Sequence, residues 1–222
     1  MSNEQVWDDN AREDLREQLR SSIRGELRLA KRDHEEILQN CGEVYIEDAP
    51  ESEKGEFNQF SAAELERAAA QLEAERHSWP EETECDRLDR VERALQEQGV
   101  MLWQASPCCD NCTRSEFGER MAVIEARDPS FRNRVRGYAF FIDQNLPESL
   151  ADDSNLSIYL GYGWLSKEDG EVADEVYQKN ALAIGHEVCK CLRDEEFEVN
   201  WDGNLSHKIG LSLNWQRREL LN

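Results

Sequence analysis

No stretch of this 222-residue chain stays apolar for long. A membrane-spanning helix needs about 18 or more consecutive apolar residues, and no run approaches that. Basic charge is scarce as well: 26 Lys and Arg stand against 48 Asp and Glu, a net charge of −22. A surface of that sign repels phosphate backbones and anionic lipid headgroups, so no nucleic-acid partner and no membrane partner is expected. The opening residues, MSNEQVWDDNARED, hold no basic stretch followed by an apolar core. No secretory signal is read there, and a cytoplasmic location is expected. The familiar catalytic signatures are missing too. There is no G-x-S-x-G, no P-loop and no G-x-G-x-x-G, and His34 and His186 each lack the second histidine of H-E-x-x-H. The seven cysteines are odd in number and follow no regular framework, which points to thiols in a reducing compartment.

What is present is an ordered series of short elements. Residues 8–39 read as one long helix with a thin apolar stripe (Leu15, Leu19, Ile23, Leu27, Ile37) that Gly25 interrupts. Acids alternate with Arg and Lys along it, as on a helix that lies on the main domain or pairs with a second copy in a homodimer. Residues 43–60, punctuated by Pro50 and Gly55 and rich in acids, read as a linker in which EVYIED forms a short edge strand. A helix over 61–76 starts at the S-x-x-E box of Ser61 and Glu64. The clearest helix covers 84–98, capped by Thr83, ended by Gly99, with Cys85, Leu88, Val91 and Leu95 on its inner face. VMLWQAS is a strand, and Thr113 with Glu116 reads as the cap of a helix that runs to residue 126. GYAFFID and LSIYLGYG are strands, residues 172–194 a helix, and FEVNWD and KIGLSLNW two more strands whose Trp201 and Trp215 are expected to pack together.

From Gly99 onward the order is β-α-β-β-α-β-β. Hairpin-length connections make the expected sheet antiparallel. The fold class is α+β: an antiparallel sheet of about five strands covered by helices, ferredoxin-like βαββαβ with one extra strand, preceded by N-terminal helices. The domains read as a long N-terminal helix (1–42), an acidic linker (43–60) and an α+β domain (61–222).

Three cysteines sit within SPCCDNCTRSEF, residues 106–117. The helix before this strand spans roughly 21 Å at 1.5 Å per residue, and the strand roughly 25 Å at 3.3 Å per residue. Only Gly99 separates them, so they run antiparallel and Cys85 lies beside the strand end that carries Cys108, Cys109 and Cys112. Four thiolates suit a zinc ion, and C-x-x-C at 109 and 112 is the usual half-site, although Cys85 and Cys108 do not form a second one. The same C-x-x-C opening a helix after a strand suits redox chemistry, but the strand order read here gives it no parallel βαβ setting. Packed, inert thiols are the third reading. Cys189 and Cys191 lie on a helix, where Cys191 faces the core and Cys189 falls near His186 on a polar side. Arg217 and Arg218 suit pairing with nearby acids or contact with an anionic ligand.

WPEETECDRLDRVERALQEQGV, then CCDNC, GYAFFIDQ, IYLGYG, NWDG and LNWQRR resemble a bacterial domain family of unknown function. That family looks like W-P-x-x-T-[DE]-C-D-R-L-D followed by C-C-x-x-C-G, over about residues 76–218. Thr113 stands where the family pattern has Gly. The resemblance implies no established activity, but it implies that Cys85, Cys108, Cys109 and Cys112 belong to one recurring unit. The acidic surface and the missing catalytic motifs favour a non-enzymatic domain that binds a basic protein, inhibitor- or immunity-like. A thiol-based redox enzyme or sensor, or a zinc-stabilised structural domain, both built on the Cys108–Cys112 loop, are the alternatives.

Overall fold

The computed structural model describes residues 7–107, 109–166 and 172–221. They divide into two compact units, with 1–81, 145–154 and 215–222 in one and 82–144 and 155–214 in the other.

The first unit is helical. Helix α1 (Asp9–Leu29) starts at Asp8, whose carboxylate accepts the Ala11 N–H, and stops where Ala30 turns left-handed at φ 55°. The next helix, α2 (His34–Asn40), opens on a capping box between Asp33 and Glu36 and runs into a π-helical stretch, Cys41–Ile46. Helix α3 spans Glu51–Arg76. Leu15, Leu19 and Ile23 of α1 bury against Ile37, Phe57, Leu65 and Leu72. Arginines of α1 reach glutamates of α3 in rising order: Arg12 to Glu53 and Arg16 to Glu56, both at 2.8 Å, then Arg28 to Glu75 at 2.7 Å. The two helices therefore run parallel, with α2 and the π-helical stretch between them in sequence. A short helix, α8 (Leu146–Leu150), lies against α1 at Gly25, where an added Cβ would sit 1.8 Å from the Pro147 carbonyl oxygen. The C-terminal segment is tied down by Trp215, whose indole N–H donates to the Arg28 carbonyl, and by Leu221, whose amide donates to that of Ala30.

The second unit is α+β. Helix α4 (Glu84–Glu97) precedes strand β1 (Val100–Ser106). Helices α5 (Asp110–Ser115), α6 (Phe117–Arg127) and α7 (Phe131–Arg134) lead to strand β2 (Gly137–Ile142). Strand β3 (Asn155–Trp164), helix α9 (Asp174–Asp194) and strands β4 (Val199–Asn200) and β5 (Ile209–Asn214) complete it. The strand order is β1-β2-β3-β5-β4. Met101, Tyr138 and Phe140 pack with Ile124 and Phe131 on one face. Side chains alternate across a strand, so Val100, Leu102, Ala139 and Phe141 point to the other face, where α4 and α9 pack.

The α+β class and the five strands match the expectation from sequence. The sheet, however, is mixed. β1 and β2 are parallel neighbours, Val100 opposite Gly137 and Trp103 opposite Phe140, and the other pairings are antiparallel. The connection through α5–α7 is long enough to return the chain to the same end of the sheet, as a parallel pair requires.

Other local readings need correction. Residues 8–39 are not one helix: α1 is capped at Ala30 and α2 starts at His34, while Gly25 lies inside α1 under α8. Residues 43–46 and 51–60 are helical, in the π-helical stretch and the first turns of α3, so EVYIED forms no edge strand. Ser61 is thus a buried mid-helix residue and caps nothing. Trp201 packs against Tyr162 and His186. Cys189 is as deeply buried as Cys191, because α9 touches β3, β2, β4 and α4 and so buries a wide stripe.

Two helical glycines give opposite expectations. Gly25→Ala forces α8 away from α1 and should cost about 3 kcal/mol. Gly55→Ala adds a methyl to open space in α3 and should stabilise by about 0.5–1 kcal/mol. Urea denaturation of both variants checks the contrast.

Candidate functional site

Gly99 closes the two-residue turn Gln98–Gly99 between α4 and β1 at φ +78°, and a Cβ there would lie 2.3 Å from the Arg134 carbonyl oxygen. The start of α4 is fixed by a capping box. The Thr83 amide donates to Asp86 Oδ2 at 2.7 Å, and the Asp86 amide donates back to Thr83 Oγ1 at 3.2 Å. Midway along, the buried Gln104 of β1 donates from Nε2 to Asp89 Oδ1 at 2.9 Å and to Glu92 Oε2 at 2.7 Å. Arg120 of α6 donates to the other oxygen of Glu92 at 2.7 Å. This polar bridge locks the register of α4 on β1. Cys85, buried in the first turn of α4 and one turn before Asp89, is thereby held toward the C-terminal end of β1.

At that end the strand bulges. Pairing with β2 shifts between Trp103 and Ser106, and Ala105 adopts φ +47°, a left-handed conformation that strains a non-glycine residue. The bulge turns Ser106 into the interior, where its Oγ lies 3.1 Å from the Phe141 carbonyl oxygen and 2.9 Å from Thr113 Oγ1. Thr113 is fully buried inside α5 and donates back to the Cys109 carbonyl oxygen at 3.0 Å. It does not cap a helix. Cys109 takes that role, its sulfur accepting the Cys112 N–H at 3.4 Å. The two sulfurs of Cys109 and Cys112 lie 3.1 Å apart and both residues are half-buried. Between them in sequence, Asp110 pairs with Lys208 at 2.8 Å.

Of the four cysteines read from the sequence as a set, the structure brings Cys109 and Cys112 together and places Cys85 in the buried turn at the same end of the unit. Cys108 lies outside the described residues. Among the described residues no three Cys, His, Asp or Glu side chains are grouped to hold a metal ion. The remaining thiols are of another kind. Burial pushes the Cys41 and Cys189 thiols up to about 11 and raises that of Cys191, so all three stay protonated near neutral pH. The sequence reading leaves Gln104 unremarked and gives Thr113 the role of a cap, whereas both hold the loop's base. The signal for Gln104 was one amide in an otherwise apolar strand. Nothing in the sequence marks Ala105 as strained.

The family model described as Domain of unknown function (DUF6891) matches residues 12–219. It takes in the helical N-terminal part that the motif resemblance left out. No curated protein and no solved structure matches the chain.

Iodoacetamide at pH 8 should label Cys109 and Cys112 in the native protein, and Cys41, Cys189 and Cys191 only after unfolding; equal labelling of all five would contradict this sorting. The unfolded chain ionises Cys41 and Cys189 near 9, whereas the folded chain keeps them neutral to about 11. Their contribution to stability is therefore full below pH 9 and lost as pH rises through about 11, which urea midpoints at pH 8 and pH 10.5 will detect as a decline.

Proposed function

From the premise that the chain belongs to the DUF6891 family, a domain of unknown function, we propose that Cys109 and Cys112 form a redox-active dithiol that exchanges with disulfides. The observation that carries this reading is the 3.1 Å separation of two half-buried sulfurs at the start of the crossover between parallel strands β1 and β2. A thiolate on Cys109 would accept from the Cys112 amide, so Cys109 is the attacking sulfur and Cys112 the resolving one. In the first step the Cys109 thiolate bonds to one sulfur of a disulfide and expels the other as a thiolate. In the second, Cys112, having lost its proton, attacks Cys109 and expels the remaining half. The dithiol is oxidised to a disulfide by two electrons, and the disulfide substrate is reduced to two thiols.

Zinc is the competing occupant of the same pair. Four sulfurs about 2.3 Å from a tetrahedral zinc stand about 3.8 Å from one another. The pair, 3.1 Å apart, would have to open by about 0.7 Å to take the ion. The net charge of −22 supports a second reading, a non-enzymatic domain that binds a basic protein, inhibitor- or immunity-like. That reading makes no use of the thiols. Cys109→Ser/Cys112→Ser protein would keep such a partner and lose the exchange chemistry.

Oxidised glutathione is the probe. Peptide mapping without reductant should find one Cys109–Cys112 disulfide in the full chain, and Cys112→Ser should stop at glutathione bound to Cys109. A disulfide routed through Cys108, or thiols at 109 and 112 that stay reduced, would refute the assignment.

A further inference from the structure

We propose that the cleft in the first unit, between the end of α1, the start of α2, the last turns of α3 and the C-terminal segment, binds a small amphipathic carboxylate. This site is independent of the dithiol. The cleft has a volume of about 550 Å³, within the range of about 300–1,000 Å³ that small-molecule sites occupy. Its apolar surface comes from Leu27, Ala69, Leu72 and Leu220. Leu220 is half exposed, an unusual position for a leucine with so much apolar surface beside it.

The charge at its mouth is what selects the ligand. Arg76 and Arg218 both line the cleft, and their guanidinium carbons lie 5.9 and 5.7 Å from the centroid of the same indole, Trp79. One ring thus stands beside both cations. Arg218 is held from behind by the Pro80 carbonyl oxygen. Arg76 is weakly engaged: it reaches Glu73 at 3.2 Å and the Arg217 carbonyl oxygen only at 3.4 Å. Its Nε is shut off from solvent with no hydrogen-bond partner among the described residues. An arriving carboxylate would accept from both guanidinium groups.

The opposite wall carries Asp33, His34 and Glu35. The Asp33 carboxylate is already taken by the Glu36 amide at 2.9 Å. Acids on that wall, in a chain this negative, confine an anion to the arginine end and disfavour a doubly charged phosphate. A single carboxylate on an apolar body satisfies all three features: the floor, the paired guanidinium groups and the acidic far wall.

Isothermal titration of the full chain with decanoate, and with 1-decanol as its uncharged counterpart, tests the site. Saturable binding of one decanoate per chain is expected. Arg76→Met and Arg218→Met should each weaken it about tenfold, with decanol binding left within about twofold. Ala69→Phe, which fills the floor and leaves both arginines in place, should abolish binding of both probes. Arg218→Met keeps the test open if Arg76→Met fails to fold, since the partners of Arg218 include a backbone carbonyl that needs no rearrangement. Absence of saturable decanoate binding by the unmodified chain would overturn the proposal. So would decanoate affinity unchanged in Arg218→Met or in Ala69→Phe.

Discussion

The turn at Gly99 is the constraint on which the second unit rests. Two residues, Gln98 and Gly99, reverse the chain between α4 and β1, with Gly99 at a positive φ, and the Arg134 carbonyl presses so close to Gly99 that no side chain fits there. The carbonyl of Gly99 accepts the Arg136 amide at 2.8 Å, and the Arg136 guanidinium donates to the Gln98 carbonyl oxygen at 2.9 Å. The end of α4 and the starts of β1 and β2 are therefore gathered at one end of the sheet. The first turn of α4 and the thiol loop are left at the other. Gln104 transmits that register through the middle of the unit by holding Asp89 and Glu92.

Within this frame, environment sorts the thiols. Cys41, Cys189 and Cys191 are buried, and loss of hydration holds them neutral near neutral pH. Cys109 and Cys112 stand half in water, on a loop whose base is a fully buried pair of hydroxyls, Ser106 and Thr113. A mobile loop would give two cysteines no fixed separation. The strained Ala105 and the hydroxyl pair supply that fixity, as strained backbone beside a reactive group commonly does.

Where local chemistry decided the structure, the sequence was readable. The helix from Glu84 follows from Thr83, Asp86 and Gly99, and its buried face is the expected one of Cys85, Leu88, Val91 and Leu95. Strand β1 matches VMLWQAS residue for residue. What failed depended on partners distant in sequence. Residues 43–60 look like a linker because Pro50, Gly55 and the acids are poor signals for a buried helix. Yet Pro50 sits at the cap, and Glu53 and Glu56 meet Arg12 and Arg16 of a helix some 40 residues away. The parallel pairing of β1 with β2 was missed for a related reason: element order does not say which strands become neighbours. That error hid the βαβ setting of the C-x-x-C loop. At Thr113 the S/T-x-x-E pattern was present, but Cys109 reached the helix start first.

Native mass spectrometry of the full chain, purified without chelator, affinity tag or added metal, tests the dithiol most directly. The expected result is the mass of the bare chain, falling by two hydrogens on mild oxidation and recovering on reduction. A chain that carries one zinc ion, with Cys85, Cys108, Cys109 and Cys112 protected from alkylation until it unfolds, would contradict it.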